Sequence, residues 1–347
     1  MRIAIINDSA IATEALRRVV RSDPALSLAW TAADGEQGAA KAQADPPDLI
    51  LMDLIMPRVD GVEATRRIMA DRPCPILVVT ATVTGHIDKV YEAMAFGALD
   101  AVNTPTLGAG GVTEGGEELL RKIRQVAALS GAIVEGPATA AGPTPYSSTS
   151  GEFPAHPRPQ PLVVIGASTG GPKALAELLS ALPEGWPAAV VVAQHIDRDF
   201  APGLARWLGE HSSVPVRTSE PRMVPEPGTV TLSCTNDHMV LRRGGHLDHV
   251  REPVAAPYRP SVDVFFESVA QNWMRPDAAV ILTGMGSDGA SGLLTLRRSG
   301  WLTIAQDRES CAVFGMPRAA AELGAADAVL PPDQIAEALV RWAARRG

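Results

Sequence analysis

The sequence predicts an α/β protein of two doubly wound domains, each with a mainly parallel sheet, joined by a linker. Three observations carry that expectation. Residues 1–130 alternate short apolar runs with helical patterns, the signature of βαβ units with helices on both faces of a parallel sheet. The same alternation resumes at Leu162. Between the two, residues 131–160 are dense in Gly, Pro, Ala, Ser and Thr and nearly lack large apolar side chains, which is a linker composition. The expected division is therefore 1–130, 131–160 and 161–347.

In the first domain, apolar runs at 3–6, 49–52 and 76–79 precede helical patterns at 12–20, 61–69 and 87–94. A last helix is expected over 117–129, with Leu119, Leu120, Ile123 and Val126 on one face. Ligands of such sheets meet the loops at the carboxyl ends of strands. Asp8 follows the first run, Asp53 follows the second, Thr80 ends the third, and Thr104-Pro105 follows residues 101–103. Two carboxylates at one sheet edge suit a hard cation such as Mg2+, and a carboxylate so held can attack phosphorus. Taken singly, Asp8 reads equally well as a helix cap and Asp53 as the start of a turn.

The second domain opens with the run 162–165, then Gly166-Ala167-Ser168-Thr169-Gly170-Gly171, then a Leu-rich helical pattern after Pro172. This is G-x-S-x-G at a strand-to-helix turn, where small neighbours permit a sharp bend and leave the serine hydroxyl exposed. A phosphate-cradling G-x-x-x-x-G-K-[ST] loop is disfavoured, because Pro172 displaces the lysine to 173 and Ala174 then stands where the hydroxyl would be. Apolar runs at 188–193 and 278–283 end in Gln194-His195 and in Gly284-Met285-Gly286-Ser287-Asp288-Gly289. Ser168, His195 and Asp288 thus fall on one sheet edge. Together they could supply the nucleophile, base and orienting carboxylate of acyl transfer. Taken singly, Ser168 reads equally as a helix N-cap, His195 as a histidine satisfied by a backbone carbonyl and Asp288 as a residue ordering a Gly-rich turn. His211, His238, His246 and His249 compete for the base, with His211 at a polar helix end and His246 and His249 in a turn-like stretch, but His195 alone follows a long buried-type strand. The order Ser, His, Asp excludes a standard α/β-hydrolase.

The whole chain narrows the function classes. A net charge of −8 over 347 residues disfavours nucleic acid or an anionic membrane as the main partner. No apolar run approaches a bilayer span and the N-terminus has no secretory pattern, so a cytoplasmic protein is expected. Cys74, Cys234 and Cys311 lack metal or disulfide spacing and read as packing residues.

Two resemblances follow from these residues. Asp53-Leu54-Ile55-Met56-Pro57, Asp60-Gly61, Thr80-Ala81 and Thr104-Pro105 resemble the receiver domain of bacterial response regulators, a flavodoxin-like fold. The resemblance implies that Asp53 accepts a phosphoryl group, that Asp8 and Asp53 bind Mg2+, and that Thr80 and Thr104 stand at the switch positions. Asn7 replaces an acidic residue of the usual pattern, so the metal site is expected to be weakened. Thr104 replaces a lysine and cannot neutralise the phosphoryl group as that lysine would, and Ala101 replaces an aromatic of the usual readout. Residues 164–171, Gln194-His195, Arg259-Pro260-Ser261-Val262-Asp263, residues 281–289 and Val313-Phe314-Gly315-Met316-Pro317 resemble the chemotaxis protein-glutamate methylesterase family, CheB, whose catalytic domain is a three-layer α/β fold. The receiver looks most like that of the Wsp-type branch. The resemblance implies a Ser168, His195, Asp288 triad with Thr169 and Met285 near the oxyanion, and no cofactor in the catalytic domain. It also implies hydrolysis of glutamate methyl esters on methyl-accepting chemotaxis receptors, deamidation of receptor glutamine, and phosphorylation by a CheA-type histidine kinase. Two alternatives stand beside it: another receiver-controlled serine hydrolase, and a phosphorylation-dependent adaptor without esterase activity.

Overall fold

The computed structural model describes residues 1–80, 87–108, 113–129, 160–254, 256 and 258–346. The expected linker lies outside the described residues except for residue 160, as does Ala81 beside Thr80.

The N-terminal domain runs β1 (Arg2–Ile6), α1 (Ala10–Ser22), β2 (Ser27–Ala32), α2 (Gly35–Ala44), β3 (Leu49–Met52), α3 (Gly61–Asp71), β4 (Ile76–Thr80), α4 (Ile87–Ala95) and β5 (Asp100–Asn103). A short antiparallel hairpin, β6 (Thr106–Leu107) and β7 (Thr113–Glu114), then leads into α5 (Gly116–Leu129). The sheet order is β2-β1-β3-β4-β5, all parallel. β3 and β4 are buried along their whole length, as strands covered on both faces must be. The order reverses between β1 and β3, and the loops after those strands carry Asp8 and Asp53.

The C-terminal domain runs β8 (Leu162–Ala167), α6 (Gly171–Ser180), β9 (Ala189–Gln194), α7 (Ala201–Glu210), β10 (Val216–Thr218), β11 (Val230–Leu232), β12 (His238–Leu241) and β13 (Leu247–Val250). It continues through α8 (Val262–Asn272), β14 (Ala278–Ile281), α9 (Ala290–Arg298), β15 (Leu302–Gln306), α10 (Met316–Glu322), β16 (Ala328–Leu330) and α11 (Pro332–Ala344). Seven strands form one parallel sheet in the order β10-β11-β9-β8-β14-β15-β16. β12 and β13 pair separately as an antiparallel hairpin, so His249 lies in a strand and not in the turn expected for it, while His246 does lie in the turn. The polar alternation of Asp248 and His249 hides that strand, which is half-exposed at its end.

Here too the order reverses at the first strand, between β8 and β14. α6 packs its Leu175, Leu178 and Leu179 into the core, each contributing about 1.5–3 kcal/mol of apolar burial. One apolar cluster is continuous between the domains through Tyr91 of α4 and Phe200 and Trp207 at α7. Among the described residues no helix is long and apolar enough to cross a membrane.

Candidate active site

The turn between β8 and α6 sets the serine. Gly170 caps α6 at a φ of 78°, a left-handed conformation open to glycine, and Pro172 follows where the first helical turn has no use for an amide hydrogen. The Ser168 amide donates to the Thr283 carbonyl at 3.0 Å, and the Ser168 carbonyl accepts the Gln194 side-chain amide at 2.9 Å. Strands β9 and β14 are the neighbours of β8, so His195 and the loop carrying Asp288 leave the sheet on the same edge.

The three residues meet. His195 Nδ1 lies 3.0 Å from Ser168 Oγ, and His195 Nε2 lies 2.7 Å from Asp288 Oδ2. Asp288 also accepts the Ser261 hydroxyl at 2.8 Å, the Val262 amide at 2.7 Å and the Asp263 amide at 3.1 Å. Burial would raise the Asp288 pKa, but the hydrogen bond and charge of His195 and the Val262 and Asp263 amides outweigh it and hold the carboxyl below its ordinary range. Asp288 is therefore an acceptor only. His195 must carry its proton on Nε2, and its Nδ1 lone pair faces the serine hydroxyl.

Tyr258 stacks on the His195 ring, with centroids 4.5 Å apart and planes 10° from parallel, and so limits how the imidazole can turn. Ser168, Thr169, His195, Tyr258 and Met285 line a cavity of about 490 Å³. The N-terminal domain contributes to its wall as well, through Asp100, Glu118 and Arg121 among others. Among the described residues, the amides of Thr169 and Met285 donate to no backbone carbonyl.

Sequence reasoning placed the three residues on one edge but missed the groups that hold them. The first turn of α8 supplies three donors to Asp288; its signal was Ser261 ahead of Asp263 at the start of an apolar helical pattern, an N-cap with free amides behind it. Gln194 was legible only as the neighbour of His195 in their shared motif, and Tyr258 had no signal beyond standing next to Arg259. Of the competing histidines, His211 packs on Trp207, His249 faces Ser219 at 2.9 Å, and His238 is fully buried.

In the N-terminal domain, Asp53 is half-buried and accepts the Leu54 amide at 2.7 Å and the Ile55 amide at 3.3 Å. Burial pushes its pKa up, the two amides pull it down, and the charge of Asp8 pushes it up again, so the two carboxylates face each other closely enough to interact. A pair of oxygen donors with mutual repulsion fits a hard divalent cation. Asn7 is buried and its side-chain oxygen already accepts the Ser9 amide at 2.8 Å. Thr80 is buried, and its carbonyl accepts the amide of half-buried Thr104 at 2.9 Å.

Residues 163–339 match the protein family described as CheB methylesterase, and residues 3–107 match that described as response regulator receiver domain. A protein-glutamate methylesterase/protein-glutamine glutaminase of Burkholderia thailandensis is 51% identical over 341 residues, covering 98% of this chain and 97% of that protein. One of Cupriavidus metallidurans, with the same activities in its name, is 50% identical over 340 residues, covering 98% of each. The crystal structure of the Thermotoga maritima CheB methylesterase catalytic domain is similar at 36% identity and a TM-score of 0.51, covering 53% of this chain and 99% of that one.

Proposed function

Because the chain belongs to the CheB methylesterase family and carries a response regulator receiver domain ahead of its catalytic domain, we propose that it hydrolyses glutamate methyl esters on methyl-accepting chemotaxis receptors. The same site would deamidate receptor glutamine, the second activity in its relatives' names. The receiver occupies 1–130, the linker 131–160 and the catalytic domain 161–347. A cytoplasmic location and a CheA-type histidine kinase as phosphodonor complete the reading.

One observation carries it: the unbroken chain from Ser168 through His195 to Asp288, at 3.0 Å and 2.7 Å. Ser168 Oγ attacks the ester carbonyl while its proton passes to His195 Nδ1. The resulting imidazolium is stabilised by Asp288, which stays ionised. The oxygen of the tetrahedral intermediate is met by the amides of Thr169 and Met285. As it collapses, the bond from carbon to methoxy oxygen breaks and Nδ1 returns the proton to that oxygen, releasing methanol. Water then attacks the acyl-serine, giving its proton to Nδ1; Ser168 leaves with that proton, and the product is glutamate. With glutamine the leaving group is ammonia.

Regulation rests on Asp53 as phospho-acceptor, with Asp8 and Asp53 as the residues that would hold Mg2+. The cation would offset the charge that a phosphoryl group brings. Thr80 and Thr104, joined through their backbones, are the switch residues.

The test is methanol release from methylated receptor by the purified full-length protein. Ser168→Ala and His195→Ala should each lower it by roughly a thousandfold or more while leaving the fold intact, since members of a triad act as a unit. Release near the wild-type rate by either variant would overturn the triad, and no release by the wild-type protein would favour an adaptor.

A further inference from the structure

We infer that His238 is a positioning residue for the esterase reaction, acting on the Asp288 carboxylate through the first turn of α8; this rests on the triad reading above. His238 is fully buried at the head of β12 and is not among the residues that line the catalytic cavity. Its Nδ1 accepts the Ser261 amide at 3.1 Å, and its Nε2 faces the Pro253 carbonyl at 3.1 Å. The Ser261 amide can only donate and the Pro253 carbonyl can only accept. The ring is thus held as one neutral tautomer, bare at Nδ1 and protonated at Nε2.

The residue it grips is the pivot of the carboxylate's cradle. Ser261 caps α8, its hydroxyl accepting the Val264 amide at 3.3 Å and donating to Asp288 at 2.8 Å. The next two amides, of Val262 and Asp263, also point at Asp288. A shift of the Ser261 backbone therefore moves three donors at once, and Asp288 with them. Were Nδ1 to take a proton, it would meet the Ser261 N–H head-on and release it.

The surroundings keep the ring neutral. Burial pushes the His238 pKa down, the Pro253 carbonyl pushes it up, and the charges around it are Arg259 before α8, Asp288 beyond β14 and Asp237 ahead of its own strand. Val250 of β13 is its partner across the hairpin and brings no charge.

Two substitutions separate this role from simple packing. Asparagine places an acceptor oxygen near the Nδ1 position, whereas glutamine reaches toward Pro253 and leaves the Ser261 amide without an acceptor. In the full-length protein, His238→Gln should lower kcat for methanol release about tenfold or more with KM within about twofold, and His238→Asn should recover most of that loss. Equal kcat in the two variants at equal melting temperatures would overturn the proposal. Should neither variant fold, the wild-type protein still decides. With 15N-labelled histidine, the His238 ring should give the signals of a neutral ring protonated at Nε2, and these should persist below the pH at which an ordinary histidine titrates. A ring protonated at Nδ1, or one titrating at the ordinary pH of histidine, would defeat it. Ser168→Ala is measured alongside. If it releases as much methanol as wild type, the triad reading fails and takes this one with it; if only it is inactive and the His238 variants match wild type, His238 alone is refuted.

Discussion

Asp263 sits behind the triad as a second acid. Its amide serves Asp288 at 3.1 Å, while its own Oδ1 accepts the Gly292 amide at 2.7 Å. Burial, and then the charge of Asp288, push its carboxyl up to about 7 against the pull of the Gly292 and Gly289 amides. The folded protein then keeps a proton that the unfolded chain loses near pH 4. The sign follows: stability from this group is fully present below the unfolded pKa and is lost as pH rises through about 7. Asp263→Asn keeps an acceptor for Gly292 and has no proton to give up. Its melting temperature should fall less than that of wild type between about pH 5 and pH 8. Parallel curves would assign the proton to another group.

At the level of elements, β8 and α8 are locked together beside the nucleophile. A Cβ on Gly166 would come within 2.2 Å of Val262 Cγ1, so the strand passes the helix at a distance that admits no side chain. Gly166→Ala must push Val262, whose amide holds Asp288. It should therefore reduce kcat by about tenfold or more beyond its effect on melting temperature, measured as methanol release at a temperature where the variant is folded. An activity loss no greater than the unfolded fraction would refute this linkage. The contact joins residues far apart in the chain, and no local pattern announces it. What could be read from the sequence was whatever repeats locally: the buried runs at β3, β4, β8, β9 and β14, and the polar residues that end them. That sufficed for both parallel sheets and for Ser168, His195 and Asp288. β12 and β13 escaped notice because they are short and lie apart from the main sheet. His238 was read only as a competitor for the base, because its contacts with Ser261 and Pro253 are ones that its own neighbours in the chain do not reveal.

The whole molecule brings the receiver against the catalytic cavity, whose wall includes Asp100, Glu118 and Arg121 as well as Ser168 and His195. Tyr91, fully buried in α4, donates its hydroxyl to the Phe200 carbonyl at 2.8 Å and stands with its ring 5.8 Å from that of Trp207. Asp88 meets Arg206 at 2.9 Å, an exposed pair that adds little. This arrangement supports inhibition by occlusion. A fragment of residues 160–347 should release methanol several-fold faster than the unphosphorylated full-length protein, by as much as the closed form dominates. Equal rates would remove occlusion from the account. One further contact crosses the boundary: the Gly170 amide at the head of α6 donates to the Leu99 carbonyl at 3.3 Å. Both partners are main-chain atoms. A genetic screen for variants freed from their own receiver cannot delete that bond by exchanging a side chain, and at Gly170 the left-handed backbone penalises most replacements outright. Gain-of-function alleles should accordingly gather at Tyr91, Phe200 and Trp207, leaving the Leu99 junction silent in any mutational map although it sits nearest the nucleophile in sequence.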